Sequence, residues 1–297
     1  MLPDPDYDLI SADELNRQMM PRVAVPDHER WLTGDLARGE KLRRTLPGRY
    51  DQRYGPGPRQ IADLFPAPEG GPKAPIVLFI HGGFWRALSK DYVRALSKDY
   101  VRHVAVPLTE AGIAAVLPSY DLCPQVPLAT VVDQARQALL WTRAQAAQLN
   151  GDPDRIFVAG NSAGAHLAAM LLAEDWSAHG LSRAPIAGAI LVTGIYDLRP
   201  VRGIQVNEDT RLSPEDAVSL SPQFLPVRNP VPTLVAVGGD EPPLWVEQSR
   251  RYAAKLRQAG APTELMILPG LNHFSITASL GDAAEPLAAA MLRQVRP

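Results

Sequence analysis

Short apolar runs alternate with longer amphipathic stretches from about residue 75 onward. Runs of this kind, bounded by turn residues, are typical of parallel strands that are buried on both faces and joined by helices. They predict strands at residues 76–80, 114–117, 156–159, 188–192, 233–237 and 264–268. The clearest helical periodicity covers residues 128–149 and ends before Gly151. The pattern predicts an α/β fold with a mostly parallel central sheet flanked by helices.

Two other parts of the chain depart from this pattern. Residues 1–70 are polar and rich in Pro, Gly and Arg, with amphipathic stretches at 11–20 and 35–44. They predict an N-terminal arm that packs on a domain formed by residues 71–297. Residues around 195–230 hold several prolines and little periodicity. They predict a small excursion over the edge of the sheet, where such folds build substrate pockets.

A serine stands between two glycines at the junction of a predicted strand and a helical stretch. Gly160-Asn161-Ser162-Ala163-Gly164 follows the strand at 156–159. A Gly-x-Ser-x-Gly sequence in this context is a nucleophile elbow, whose sharp turn lifts the serine hydroxyl above the sheet of an α/β-hydrolase fold. Ser162 is therefore the predicted nucleophile. The helix that follows directs N–H groups, including that of Ala163, at the reacting centre.

A serine hydroxyl needs a base, and in this fold the histidine comes last in the chain order. His273 follows the last predicted strand, where a loop can reach back over the elbow. His166 lies one helical turn past the serine and is expected to pack or form a hydrogen bond beneath it. His273 is the predicted base.

The third group of such a site orients the imidazole and comes from the loop after the penultimate strand. Asp240 and Glu241 are adjacent in that loop, and local sequence alone leaves the two open. Asp197, which follows the preceding strand, is a weaker candidate and is expected to cap a loop.

The oxyanion of acyl transfer needs hydrogen-bond donors, and His81-Gly82-Gly83 follows the strand at 76–80. This element resembles the His-Gly-Gly-Gly loop of esterases, whose backbone N–H acts together with the N–H of the residue after the nucleophile. The predicted oxyanion hole comprises the loop Gly82, Gly83 and Phe84 together with Ala163.

The composition of the chain limits the kinds of partner that the protein is expected to bind. The chain has 297 residues, of which 46% are hydrophobic, and a net charge of -2 with scattered Lys and Arg. This gives no electrostatic footprint for nucleic acid or an anionic membrane. The single cysteine, Cys123, excludes an internal disulfide and a multi-cysteine metal site. No signal peptide or transmembrane run is expected. We therefore predict a cytoplasmic protein that acts on a small molecule, with a homodimer left open.

The chain contains an exact eight-residue repeat, which is not a structural periodicity. Residues 86–93, Arg-Ala-Leu-Ser-Lys-Asp-Tyr-Val, recur letter for letter at 94–101, directly after Trp85. An eight-residue extension is not a whole number of helical turns, whereas a looped-out copy costs only modest closure entropy. We expect one copy to keep a helix and the other to form a mobile segment at the pocket rim. Deleting residues 94–101 should preserve or raise both stability and reactivity towards a small activated ester, while changing selectivity among bulky aromatic substrates.

The motifs together resemble those of the arylformamidases (kynurenine formamidases), which favour His-Gly-Gly-Tyr/Phe-Trp. The resemblance covers about residues 50–280 and includes residues 81–85, 120–124, 160–167, 194–198 and 237–249. Two departures are Asn161, where the family usually has histidine, and the repeat. The family carries its acid seven residues before the glutamine of a Gln-Ser pair. Counted back from Gln248, this implies Glu241 rather than Asp240.

The resemblance implies that N-formyl-L-kynurenine is hydrolysed to kynurenine and formate in tryptophan breakdown, with no metal or organic cofactor. Phe84, Trp85 and Asn161 would contact the aromatic amide or ester substrate. The same residues would also suit a carboxylesterase of small acyl esters, because motifs do not separate the two reactions. A ligand-binding protein on an inactive hydrolase fold is a more remote alternative.

Overall fold

The computed structural model describes residues 5–86 and 97–296. Within these ranges one sheet of eight strands runs in the order β1-β2-β4-β3-β5-β6-β7-β8. The strands are β1 (Arg49–Arg53), β2 (Ile61–Phe65), β3 (Ala74–Ile80), β4 (Ala114–Pro118), β5 (Gly151–Asn161), β6 (Gly188–Val192), β7 (Thr233–Gly238) and β8 (Thr263–Leu268). The pairs from β4 to β8 are parallel, whereas β1–β2 and β2–β4 are antiparallel.

Helices cover both faces of this sheet. They are α1 (Ala12–Met19), α2 (Pro21–Ala24), α3 (Glu29–Thr45), α4 (Ala105–Glu110), α5 (Leu128–Ala144), α6 (Ala163–Ala173), α7 (Asn207–Thr210), α8 (Pro214–Ser219), α9 (Pro243–Gln258), α10 (Ser275–Ser279) and α11 (Pro286–Val295). Alternate residues of each strand point to opposite faces, so the sheet separates two apolar layers. Residues of α5, α6 and α9 pack in one layer, and residues of α4 and α11 in the other.

The α/β-hydrolase fold and the predicted parallel strands are confirmed. β5 is the strand that extends furthest beyond its prediction, since it begins at Gly151, which pairs with Ala74. Its first residues are polar, so no apolar run marked them. The predicted helix at 128–149 ends earlier, and a 3-10 turn (Ala146–Leu149) completes it before Asn150 takes a left-handed conformation at φ 51°.

The antiparallel strands β1 and β2 were not predicted. β2 is almost entirely buried, yet it contains Asp63, whose charge hides the strand in a search for apolar runs. The carboxylate of Asp63 lies 3.0 Å from Lys98 Nζ and 2.7 Å from Arg102 Nη2. A buried carboxylate is tolerated when cations neutralise it and donate hydrogen bonds to it. The boundary between arm and domain at residue 70 stays a prediction, although β1 and β2 belong to the sheet.

These cations belong to the second copy of the repeat and to the residue that follows it. Ser97 to Val101 end that copy, and most of them lie in a 3-10 helix (Lys98–Val104) rather than an α-helix. Lys98 also contacts Asp51 at 2.7 Å, and Arg102 donates to the carbonyl oxygen of Gly39 at 2.7 Å. Residues 87–96, which hold most of the first copy and the start of the second, lie outside the described residues, so the expected mobile copy stays a prediction.

The excursion predicted around 195–230 is present. It contains a 3-10 turn (Arg199–Gly203), α7 and α8. In the part of the chain that the structure describes, no helix is both long and apolar enough to cross a membrane.

Deleting residues 94–101 should leave the melting temperature unchanged or raise it. The deletion joins Val93 to Arg102, and Lys90 and Asp91 then take the places in sequence of Lys98 and Asp99. The partners of Asp63 are therefore restored, while the chain loses residues that cost closure entropy. Thermal unfolding followed by circular dichroism checks this outcome.

Asp63→Asn is the matched contrast. It leaves Lys98 and Arg102 buried without their carboxylate and should cost about 3 kcal/mol or more of unfolding free energy. If the deletion lowers the melting temperature as much as Asp63→Asn does, the first copy cannot replace the second.

Candidate active site

Ser162 occupies a strained turn between β5 and α6. Its backbone has φ 55° and ψ -121°, a conformation that side-chain-bearing residues rarely adopt. The flanking glycines allow this turn, because a Cβ on Gly164 would lie 1.9 Å from the carbonyl oxygen of Ile80. A Cβ on Gly160 would lie 2.5 Å from Gly164. The elbow therefore requires both glycines, as strand and helix meet closely here.

His273 and Glu241 lie in contact beside this turn. Nδ1 of His273 is 2.7 Å from Oε2 of Glu241, and both residues are buried. The backbone N–H of Gly238 donates to Oε1 of Glu241 at 2.9 Å. The carboxylate is an acceptor, so it selects the imidazole tautomer with its hydrogen on Nδ1, which leaves Nε2 as the basic atom. Trp245 packs its edge against the imidazole, with ring centres 4.4 Å apart.

The other acids have different partners. Asp240 is exposed, and its Oδ1 accepts the N–H of Gly270 at 3.1 Å. Asp197 is buried and pairs with Arg199 at 2.7 Å and Arg251 at 3.6 Å. Of the predicted candidates, Glu241 is the one that contacts His273.

Thr193 joins the same hydrogen-bond network and was missed by the sequence reasoning. Its hydroxyl lies 2.5 and 2.6 Å from the two oxygens of Glu241 and 3.1 Å from Nδ1 of His273. It is fully buried and has φ 46°, which is unusual for a β-branched residue. Its only sequence signal is its place directly after β6, at the carboxyl edge where open α/β sheets bind ligands.

The loop after β3 is shaped by consecutive left-handed residues. Gly83, Phe84 and Trp85 have φ of 116°, 50° and 55°. The N–H of Gly82 donates to Oδ1 of Asn161 at 3.0 Å. The prediction that Gly82 belongs to the oxyanion hole is therefore wrong for its N–H, which already has an acceptor.

The remaining predicted donors are Gly83, Phe84 and Ala163. Between described residues, their N–H groups donate no hydrogen bond. Ala163 begins α6, where the first N–H groups of a helix lack intrahelical acceptors. Asn161 ties the loop after β3 to the elbow through the N–H of Gly82, and its Nδ2 donates to Oγ1 of Thr277 on α10 at 3.3 Å.

Burial holds three of the four other buried histidines neutral near pH 7. It lowers the pKa of His81 to about 3 and those of His103 and His166 to about 4. Nε2 of His166 lies 2.8 Å from the carbonyl oxygen of Leu220, so this residue bonds beneath the elbow. These histidines are structural, and none contacts Glu241.

Ser162 and His273 open into one cavity, which Phe84 and Asn161 also line. The prediction that Trp85 lines the pocket is wrong, because Trp85 is fully buried and packs on His166 with ring centres 4.8 Å apart. The described residues of the 195–230 excursion do not line this cavity. The wall comes instead from the N-terminal region, through Met20, Pro21, Arg22, Leu32 and Asp35.

The described residues contain no group of three His, Cys, Asp or Glu side chains that could hold a metal ion. Their arrangement contains the parts that acyl transfer needs: a serine at an elbow, a histidine with a paired carboxylate, and backbone donors.

Known proteins share this architecture. Residues 77–277 match a family model described as α/β hydrolase fold. The chain is similar to a kynurenine formamidase of Danio rerio, with 31% identity over 98% of both chains. It is also similar to the esterase LipQ of Mycobacterium tuberculosis, with 30% identity over 77% of this chain and 58% of that protein.

A solved structure supports the same relationship. A candidate thioesterase from Silicibacter sp. has 29% identity and a TM-score of 0.76, over 91% of this chain and 95% of that one. Sequence similarity therefore extends along nearly the whole chain and includes the elbow, the loop after β3 and the His273 loop. The chain is a hydrolase of the α/β-hydrolase fold and belongs to the kynurenine formamidase family.

Proposed function

We propose that the protein hydrolyses an aryl formamide, N-formyl-L-kynurenine, to kynurenine and formate, with Ser162, His273 and Glu241 as its triad. The observation that carries this proposal is the contact of 2.7 Å between His273 and Glu241 in the wall of the cavity that holds Ser162. The name of the Danio rerio relative supports the choice of substrate.

In the first half-reaction the hydroxyl oxygen of Ser162 attacks the formyl carbon, and Nε2 of His273 accepts the hydroxyl proton. The resulting imidazolium is stabilised by Glu241 through Nδ1. Negative charge on the former carbonyl oxygen is bound by the N–H groups of Gly83, Phe84 and Ala163. Donors that are fixed before the reaction stabilise this charge without reorganisation. His273 then protonates the departing aryl amine, and the formyl group stays on Ser162 as an ester.

In the second half-reaction water replaces the amine. His273 takes a proton from the water, which attacks the formyl ester and again places charge on the oxyanion donors. Collapse of the intermediate breaks the bond to Ser162, returns the proton to its oxygen and releases formate. Both steps use the protein's own groups, and no cofactor takes part.

A carboxylesterase acting on small acyl esters is the second candidate function. The same groups would perform it, and the similarity to the esterase LipQ favours it. The leaving group separates the two reactions: an aryl amine must be protonated as it departs, whereas an activated phenol leaves as its anion.

The deciding experiment compares kcat/KM for N-formyl-L-kynurenine with that for p-nitrophenyl acetate. We expect the formamide to be preferred, with formate released in equal amount to kynurenine.

Ser162→Ala and His273→Ala should each lower kcat by roughly five orders of magnitude on both substrates, because these groups act as one unit. Turnover of the ester alone would select the carboxylesterase, and failure of a fluorophosphonate probe to label Ser162 would favour a binding protein.

Glu241→Gln should lower kcat by about 10⁴-fold, because an amide no longer selects the productive tautomer of His273. Asp240→Asn removes a neighbouring carboxylate that caps the turn at Gly270 and should change kcat by less than about threefold. Steady-state rates of the two purified variants check this ranking. The reverse order would return the acid's role to Asp240.

Thr193 is a positioning residue in this proposal, since its hydroxyl holds the carboxylate of Glu241. Thr193→Val keeps the size and the β-branched shape of the side chain but removes the hydroxyl. We expect kcat/KM to fall roughly tenfold, the scale of a hydrogen bond to a charged group. Thr193→Ser restores the donor and should recover most of the rate.

The two variants together separate positioning from a loss of packing. Thr193→Val fills the space but lacks the hydroxyl, whereas Thr193→Ser keeps the hydroxyl but lacks the methyl group. A rate that falls in Thr193→Val and recovers in Thr193→Ser supports positioning through the hydrogen bond. An unchanged rate in Thr193→Val, or an equal loss in both variants, would assign Thr193 a purely structural role.

A further inference from the structure

The active-site cavity has a carboxyl group in its wall that the proposed mechanism does not use. Asp35 lies on α3 and lines the same cavity as Ser162 and His273. Its side chain is only 13% exposed. A carboxyl group withdrawn this far from water needs a counter-ion or hydrogen-bond donors to carry its charge.

The neighbouring basic groups do not supply that charge in full. Nδ1 of His103 lies 3.9 Å from Oδ1 of Asp35, too far for a hydrogen bond. Nε2 of His103 lies 3.1 Å from the carbonyl oxygen of Thr277, to which it must donate. Nδ1 then carries a lone pair rather than a hydrogen, and burial lowers the pKa of His103 to about 4. His103 is therefore neutral at pH 7 and cannot neutralise Asp35.

Arg38 is the other basic group that acts on Asp35. It lies on the same helix, is exposed, and lowers the carboxyl pKa less than burial raises it. The outcome is that burial raises the pKa of Asp35 to about 7. No hydrogen bond to its carboxylate occurs between described residues, in contrast to Asp63, which two cations contact. The cavity wall thus holds a carboxyl group whose charged form a bound cation would stabilise.

The cavity also presents the opposite charge. Arg22 and Arg86 line it, and Arg86 pairs with Asp209 at 2.8 Å. A wall with both signs of charge beside an acyl-transfer centre suits a zwitterionic ligand better than a neutral ester. An α-amino acid whose side chain carries the scissile group has this charge distribution.

We propose that Asp35 is a specificity-determining residue that binds the ammonium group of an α-amino acid substrate. The proposal rests on the proposed function, because it concerns the non-reacting end of the substrate that Ser162 would attack. An ammonium group paired with Asp35 replaces the missing counter-ion, so part of the cost of burying this carboxylate is recovered on binding. A substrate without the ammonium leaves that cost in place.

The test measures binding to the full-length protein and does not depend on turnover. Calorimetry compares kynurenine with the same molecule carrying hydrogen in place of its α-amino group. The wild-type protein should bind the amine at least about tenfold more tightly, the scale of a hydrogen bond between charged groups. Asp35→Asn should reduce this ratio to about one, and Asp35→Glu should keep part of it.

Glu29→Gln is the matched control, because Glu29 lies on the same helix, is exposed and does not line the cavity. It should keep the wild-type ratio. Asp35→Ser is a second charge-removing variant, for use if Asp35→Asn does not fold, as judged by circular dichroism. An equal ratio in the wild type and in the charge-removing variant overturns the proposal, as does a wild-type ratio near one.

The failure of this inference can be told apart from failure of the proposed function. Formate release from N-formyl-L-kynurenine with no ammonium preference overturns the role of Asp35 and leaves the reaction intact. An ammonium preference that Asp35→Asn removes, in a protein that releases no formate, supports the role of Asp35 and contradicts the reaction.

Discussion

The close approach of α6 to β3 is the constraint on which the active site depends. Gly164 lies so near the carbonyl of Ile80 that a Cβ would approach its oxygen to 1.9 Å. This contact lets the helix begin directly after Ser162, in its strained conformation, and brings the N–H of Ala163 beside the loop after β3. The strain at Ser162 is held because every residue of α6 except Ala173 is buried. Geometry that would be lost in a looser turn is fixed by packing.

Burial also decides which histidine can act as a base. His81, His103 and His166 lie in the interior without a hydrogen bond to a carboxylate, so burial lowers their pKa values and they stay neutral. His273 is buried too, but Glu241 accepts from its Nδ1 and is itself held by Thr193 and Gly238. In the proposed mechanism, the imidazolium that forms during proton transfer is thus stabilised at His273 and not at these three histidines. The same low-dielectric interior that keeps these three histidines neutral strengthens the pairing of His273 with Glu241.

What the sequence could predict follows from how local each signal is. The parallel strands and the elbow were predictable because apolar runs and the glycines around Ser162 are local consequences of two-sided burial and close packing. β2 was hidden because Asp63 is neutralised by cations more than thirty residues away. Thr193 carries no motif, and its role depends on the chain bringing β6, β7 and the His273 loop together. The hydrogen bond from the N–H of Gly82 to Asn161 was likewise unpredictable, because the two residues lie far apart in the sequence.

The reacting groups and the walls of the cavity therefore obey different rules. Ser162 and the proposed oxyanion donors lie in glycine-containing motifs, since their positions depend on close backbone contacts. The N-terminal wall, including Asp35, is made of side chains on helices and turns that are distant from the elbow in the sequence. The repeat begins at Arg86 and ends at Val101, both of which line the cavity, and its second copy is held by Asp63 and its neighbours. We therefore expect chain length added between Arg86 and Val101 to leave the sheet, Ser162, His273 and Glu241 where they are. By the same argument, the added chain should change which substrates are selected rather than how they are cleaved.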